Sequence, residues 1–387
     1  MGRAVLSLLA LALAVAGCGP RLLQWGWDEP DQRDLLRYRF LMERSPFDGV
    51  VLRLTTLDAA GRPHNFAWEA AARPFPREEL APAVADLKAA ASNRLRHHFL
   101  RMNLNPADRP FDLFDDAAWA TLTDNLVAAA RAAWEADLAG LLLDPEAYSE
   151  PDPGAGRPRY NVFDYTRRAP TDRPFAAYRE QAFRRGFAIA QAVGGAHPEI
   201  TLLLAFGYSG PCLLEDGEPS GRTYGLLPAF VDGMLGARPS RMRIADGFEP
   251  TYGARACGEF GAARRALRDR CAALSLHPER LADLEVAFGL WMDYRATGPC
   301  ARFGAAGQPC PWHDPMLHPE SRREQLDPKR FRDAVAAALA LTDRYVWIYA
   351  EQARWWTTDP QTANLPAVYA EAVRAGRQAA GAACREP

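Results

Sequence analysis

Eight short apolar runs recur along this chain, and segments of helical periodicity lie between them. The runs are Leu22–Trp27, Gly49–Leu54, His98–Met102, Leu138–Leu143, Ile200–Phe206, Arg241–Ala245, Val286–Trp291 and Tyr345–Tyr349. Several, such as Leu141-Leu142-Leu143 and Leu202 to Phe206, show no polar alternation, which is how strands buried on both faces look. Trp119 to Ala136 carries Leu122, Leu126, Ala129 and Ala133 at helical spacing, and Ala176 to Val193 and Phe331 to Leu341 lead into the next runs in the same way. Strands that alternate with helices pair in parallel through right-handed crossovers. Eight such units predict an α/β fold, a (β/α)8 TIM barrel. The rival is an open doubly wound sheet, which normally begins on a glycine-rich turn. No such turn follows Leu22–Trp27. The third run is the least strand-like, because His97-His98-Phe99-Leu100-Arg101 could continue a helix.

The first residues bear on compartment. Met1 to Arg3 carry one positive charge, and the apolar run Ala4–Ala16 is too short for a membrane span but suits a secretory leader. It ends in Val15-Ala16-Gly17-Cys18, which resembles the lipobox of bacterial lipoproteins. The resemblance implies cleavage before Cys18 and acylation of that thiol, so that the exported protein is lipid-anchored to the cell envelope, in the periplasm or on the outer-membrane surface. An ordinary leader with a chance cysteine is the other reading. On the lipobox reading, residues 1–17 are leader and 18–387 one barrel domain. Six further cysteines remain, an even number in an exported chain, which suggests disulfides. Cys300 and Cys310 bracket a Gly/Pro-rich loop and form the expected local pair.

A formal net charge of −2 gives no sign of a nucleic-acid partner. No metal or other cofactor is expected: there is no Cys-x-x-Cys, and few of the histidines fall at a strand end. Gly207-Tyr208-Ser209-Gly210 lacks the spacing of a serine nucleophile elbow, and no glycine-rich phosphate cradle is present.

In barrels the working residues project from the C-terminal strand ends. Here those ends read Trp25-Gly26-Trp27-Asp28-Glu29, Asp144-Pro145-Glu146-Ala147-Tyr148, Asp246-Gly247-Phe248-Glu249-Pro250-Thr251-Tyr252, Trp291-Met292-Asp293-Tyr294 and Tyr349-Ala350-Glu351, with Trp355-Trp356 beyond. Any one acid could cap a helix. Acids after five strands, interleaved with Trp and Tyr, suit a sugar site, because aromatic faces stack on sugar C–H faces and carboxylates accept from hydroxyls. Glycosidic cleavage also needs two carboxyls, one protonated and one ionised.

Leu141-Leu142-Leu143-Asp144-Pro145-Glu146-Ala147-Tyr148 resembles the fourth-strand end of the TIM-barrel glycoside hydrolases, and is nearest in form to the Asp-x-Glu-Tyr ending of chitinase-like enzymes. The resemblance implies that Glu146 is the proton donor and Asp144 the neighbour that tunes it. The sixth strand lacks the Met-Tyr-Asp ending of that family, and the seventh offers Asp293 in place of a Glu. Glu249 is the first choice of partner for Glu146, ahead of Glu351 and Asp293. Trp27, Asp28, Glu29, Tyr148, Tyr252, Asp293, Glu351 and Trp355 are expected to bind the carbohydrate. A non-catalytic carbohydrate-binding surface lipoprotein on the same barrel remains the alternative, with an envelope-structural role as a third class.

Overall fold

The computed structural model describes residues 19–26, 29–106, 108–149, 160–167, 173–239, 241–292, 327–350, 355–356 and 367–384. Eight staves stand where the apolar runs lie: β1 (Arg21–Gly26), β2 (Gly49–Leu52), β3 (Phe99–Asn103), β4 (Gly140–Asp144), β5 (Thr201–Leu204), β6 (Arg243–Asp246), β7 (Glu285–Val286 and Phe288–Trp291) and β8 (Tyr345–Ala350). A helix follows each stave: α1 (Gln32–Met42), α2 (Arg77–Ala89), α3 (Asp116–Glu135), α4 (Phe175–Ala196), α5 (Leu227–Ala237), α6 (Cys257–Asp269), α7 (Pro328–Leu341) and α8 (Ala367–Ala379).

Every pairing between neighbouring staves is parallel, from Leu23 opposite Gly49 round to Phe288 opposite Val346. β1 closes on β8 with Arg21 opposite Tyr345. The ends of the paired series are the two pieces of β7, joined by Ala287, whose N–H donates to Asp246 O at 2.8 Å. An open sheet has two free edges and cannot make these pairings, so the barrel is the fold. β3 is a stave after all, and begins just past His98.

Burial explains why these segments are strands. All five residues of β4 and all four of β5 are buried. Their Leu side chains fill the barrel on one face and meet the helices on the other. The helices present alanine-rich faces inward, as on α3 with Leu122, Leu126, Ala129 and Ala133. Some strand-end acids are spent on helix termini. Asp31 caps α1, accepting from the N–H groups of Arg33 and Asp34 at 2.8 and 2.9 Å.

α4 and α5 pack backbone to backbone. A Cβ added at Gly186 would lie 1.9 Å from Phe230 O, and one at Gly233 would lie 1.9 Å from Phe183 O. Gly233→Ala is therefore expected to lower stability by about 1–3 kcal/mol through overpacking. Urea unfolding checks this, and an unchanged midpoint would contradict so close an approach.

Two disulfides form, Cys212–Cys271 and Cys257–Cys384, the latter tying the start of α6 to the segment after α8. Cys300 and Cys310 lie outside the described residues. No helix among the described residues is long and apolar enough to cross a membrane.

Candidate active site

A cavity of about 450 Å³ opens at the C-terminal mouth, and every stave except β5, with its following loop, lines it. β1 supplies Trp25 and Gly26, and the turn after it Glu29; the β2 loop supplies Arg53 and Trp68, and β3 supplies Arg101. The β4 turn gives Glu146 and Tyr148, the β6 turn Glu249 and Tyr252, and β7 and β8 supply Trp291 and Tyr349 near their C-terminal ends. A second hollow, of about 510 Å³, lies on the outer wall between α2 and α3 and has Glu135 as its one carboxylate, beside Lys88.

Glu146 is held by its turn. Asp144 is buried and accepts from Arg101 Nη2 at 2.7 Å, from Tyr148 Oη at 2.9 Å and from the Glu146 N–H at 3.0 Å. The Pro145 carbonyl accepts from Asn105 Nδ2 at 2.6 Å, and the Ala147 N–H donates to Tyr224 Oη at 3.1 Å. With these contacts made, Asp144 does not line the cavity and acts as the anchor of the turn.

Glu249 depends on an unusual backbone. Phe248 sits in the left-handed region at φ 47° and ψ 50°, uncommon for a bulky side chain. Its surroundings enforce this conformation. The Phe248 N–H donates to Asp246 Oδ1 at 3.1 Å, its carbonyl accepts from Thr251 Oγ1 at 2.7 Å, and its buried ring meets Phe288. Asp246, also buried, accepts from Ser209 Oγ and the Ser209 N–H. The reversal at Phe248 delivers Glu249 to the mouth.

Electrostatics set Glu146 and Glu249 apart. Neither forms an ion pair among the described residues, and both line the cavity. Burial first, and then the charge of Asp144, push the Glu146 carboxyl up to about 7, against smaller lowering by Tyr148 and Arg101. Burial, then the charges of Glu146 and Asp144, hold Glu249 well above the usual carboxylate range. Arg101 is the cation beneath them. It pairs with Asp144, approaches Glu29 Oε2 at 3.6 Å, and lies under the Trp68 ring at 4.7 Å. Glu29, buried, is pushed up by desolvation against the lowering effect of Arg101 and Arg53.

Aromatic rings form the walls. Tyr252 stacks on Tyr349 at 5.7 Å and meets Trp291 edge-on at 5.5 Å, and Trp68 meets Tyr148 edge-on at 4.8 Å. Of the residues expected from sequence, Glu29, Glu146, Tyr148, Glu249 and Tyr252 converge here. Trp355 does not. It is not part of the cavity wall and packs edge-on against Phe47 at 4.9 Å, while Trp356 meets Tyr38 on α1 at 5.6 Å. Trp27, Asp28, Asp293, Glu351 and Cys18 lie outside the described residues. Sequence reasoning missed Arg53 and Trp68, which belong to the long β2–α2 connection. An aromatic inside that connection was the available signal.

No family model and no curated protein matches the chain. Among solved structures it is similar to a GH5-4 broad specificity endoglucanase from an uncultured bacterium, at 13% identity over 94% of this chain and 95% of that one, with a TM-score of 0.48. It is also similar to the beta-mannanase of the blue mussel Mytilus edulis, at 10% identity over 94% and 92%, TM-score 0.44. A third is the 3-keto-D-glucoside 4-epimerase YcjR from E. coli, at 10% identity over 93% and 99%, TM-score 0.43. Likenesses of this degree carry no argument about activity, and the three proteins differ in chemistry. The barrel rests on its own strand pairings.

Proposed function

We propose that this chain hydrolyses glycosidic bonds of a polysaccharide or oligosaccharide, with Glu146 and Glu249 as its two carboxyls. The observation that carries this reading is the pair itself: two carboxyls on one aromatic-walled cavity, neither in an ion pair among the described residues, and both pushed up by burial and neighbouring acids. Burying acids in this way costs stability, and a protein that only captured glycans would need the aromatic walls without the pair. Acetal cleavage requires the pair in a state with one proton and one negative charge.

Environment distributes that proton. Tyr148 and Arg101 lower the Glu146 carboxyl against its burial, whereas for Glu249 burial and the charges of Glu146 and Asp144 all act upward. In this proposal Glu249 donates to the leaving oxygen, and ionised Glu146 faces the developing positive charge, the reverse of the roles implied by strand position. Glycans released with new reducing ends by the wild type, and by neither Glu→Gln variant, would support the reading. A wild type inert on a broad glycan panel would contradict it.

The two disulfides suit an oxidising compartment, and the lipobox supports acylation at Cys18. Cys18→Ala is expected to leave an unacylated protein that, once a high-salt wash has stripped peripheral electrostatic contacts, fractionates with soluble periplasmic contents. Retention in the membrane fraction would contradict the anchor.

A further inference from the structure

From the outer face of α1 we infer a docking surface for an anionic lipid bilayer. Between Gln32 and Arg44 the exposed residues are Arg33, Leu36, Arg37, Phe40 and Arg44, spaced to form one stripe along the helix. The stripe holds only arginines and apolar side chains. Phe40 is 62% exposed and Leu36 41% exposed, one turn apart.

Among the described residues, the exposed arginines around Phe40 lack ion-pair partners. The Arg44 guanidinium lies 4.2 Å from the Phe40 ring centroid. Arg94 donates to Ser45 O at 3.1 Å and Arg374 to Arg44 O at 2.7 Å, so both gather at the same end of α1 through backbone carbonyls and not through acids. Arg33, Arg37, Arg44, Arg94 and Arg374 have no ion-pair partner among the described residues, and all five are exposed. The described acids nearby are engaged: Asp34 accepts from the Asp31 N–H in the α1 cap, Glu43 faces Arg39 and accepts from Ser92 Oγ, and Asp48 holds Arg377 and Arg21. Among the described residues, Glu371 on α8 is the exposed acid beside this group.

Place in the fold selects the occupant. α1 runs back from the mouth, so Phe40 and Arg44 lie toward the pole where β1 begins at Arg21. The apolar run Ala4–Ala16 and Cys18 precede the barrel at that same pole in the sequence. Arginines with an apolar tip between them complement anionic headgroups over an acyl boundary. A bilayer on this side leaves the mouth clear for substrate. The inference does not depend on the hydrolase reading.

The chain from Gly19 onward holds all the described staves and helices, so it can be tested without the preceding segment. In flotation at low salt it should rise with phosphatidylcholine vesicles containing phosphatidylglycerol and stay down with phosphatidylcholine alone. Arg37→Gln and Arg44→Gln should each weaken partitioning roughly fivefold, and Phe40→Ser should weaken it without changing the melting temperature. No binding to the anionic vesicles, equal binding to neutral ones, or unchanged binding by these variants would overturn the proposal. So would a dimer, seen by sedimentation, that Phe40→Ser dissociates.

Discussion

Glu146→Gln is expected to lower the rate of glycan hydrolysis by three orders of magnitude or more, while the barrel still folds and still binds its sugar. The glutamine keeps size and polarity but cannot carry the negative charge that the developing oxocarbenium ion requires, and charge stabilisation of this kind contributes roughly 10²–10³ per group even before covalent chemistry is counted. Substrates with activated leaving groups should not rescue this variant, whereas they should rescue Glu249→Gln, which lacks only the proton donor. Rescue of Glu146→Gln would return the donor role to Glu146. The change should also flatten the dependence of stability on pH. Glu146 ionises near 7 when folded, against an ordinary value of 4.5, so the folded state binds more protons between these limits and stability falls as pH rises through that window. The variant should lose the share of that slope due to Glu146 and keep the share due to Glu249 and Glu29, and denaturation midpoints across the same range would show the difference.

Arg101→Met should be the most destabilising single change at the site. Its guanidinium is 7% exposed and lies between Asp144 and Glu29, themselves buried. Removing one partner of a buried ion pair leaves the other charge stranded, at a cost of about 3–5 kcal/mol. Asp144 is stranded here, Glu29 is left with Arg53 alone at 4.0 Å, and the Asp144 anchor of the Glu146 turn loses its shortest contact. Because Arg101 also lowers the Glu146 carboxyl, any activity left should appear at higher pH than in the wild type. Chemical denaturation and a pH–rate profile test the two halves separately. A variant of near wild-type stability would mean that water, not Arg101, balances these carboxylates.

The barrel was legible because its staves are buried on both faces, so that Leu202 to Leu204 read as an unbroken apolar run. The β4 turn was legible for a related reason: a strand that ends in Asp-Pro-Glu places its acids at the mouth. Glu249 was readable by position, but the left-handed Phe248 that aims it was not, since no propensity marks a Phe for that conformation. Trp68 escaped because the hairpin Thr55–Leu57/Pro63–Asn65 and the short helix Phe66–Glu69 that carry it interrupt the strand–helix rhythm. Trp355 misled because neighbouring tryptophans beyond a strand end look alike whether they face the mouth or the outer wall. The disulfide partners, far apart in sequence, could be counted but not paired.

The proton held between Glu146 and Glu249 is most directly read by carbon-13 NMR titration of the glutamate carboxyls, in the wild type and in Glu146→Gln. One carboxyl should titrate near pH 7 and another well above the usual carboxylate range, and in the variant the remaining one should move down as the charge of Glu146 is removed. Two carboxyls titrating independently near 4.5 in the wild type would contradict the account.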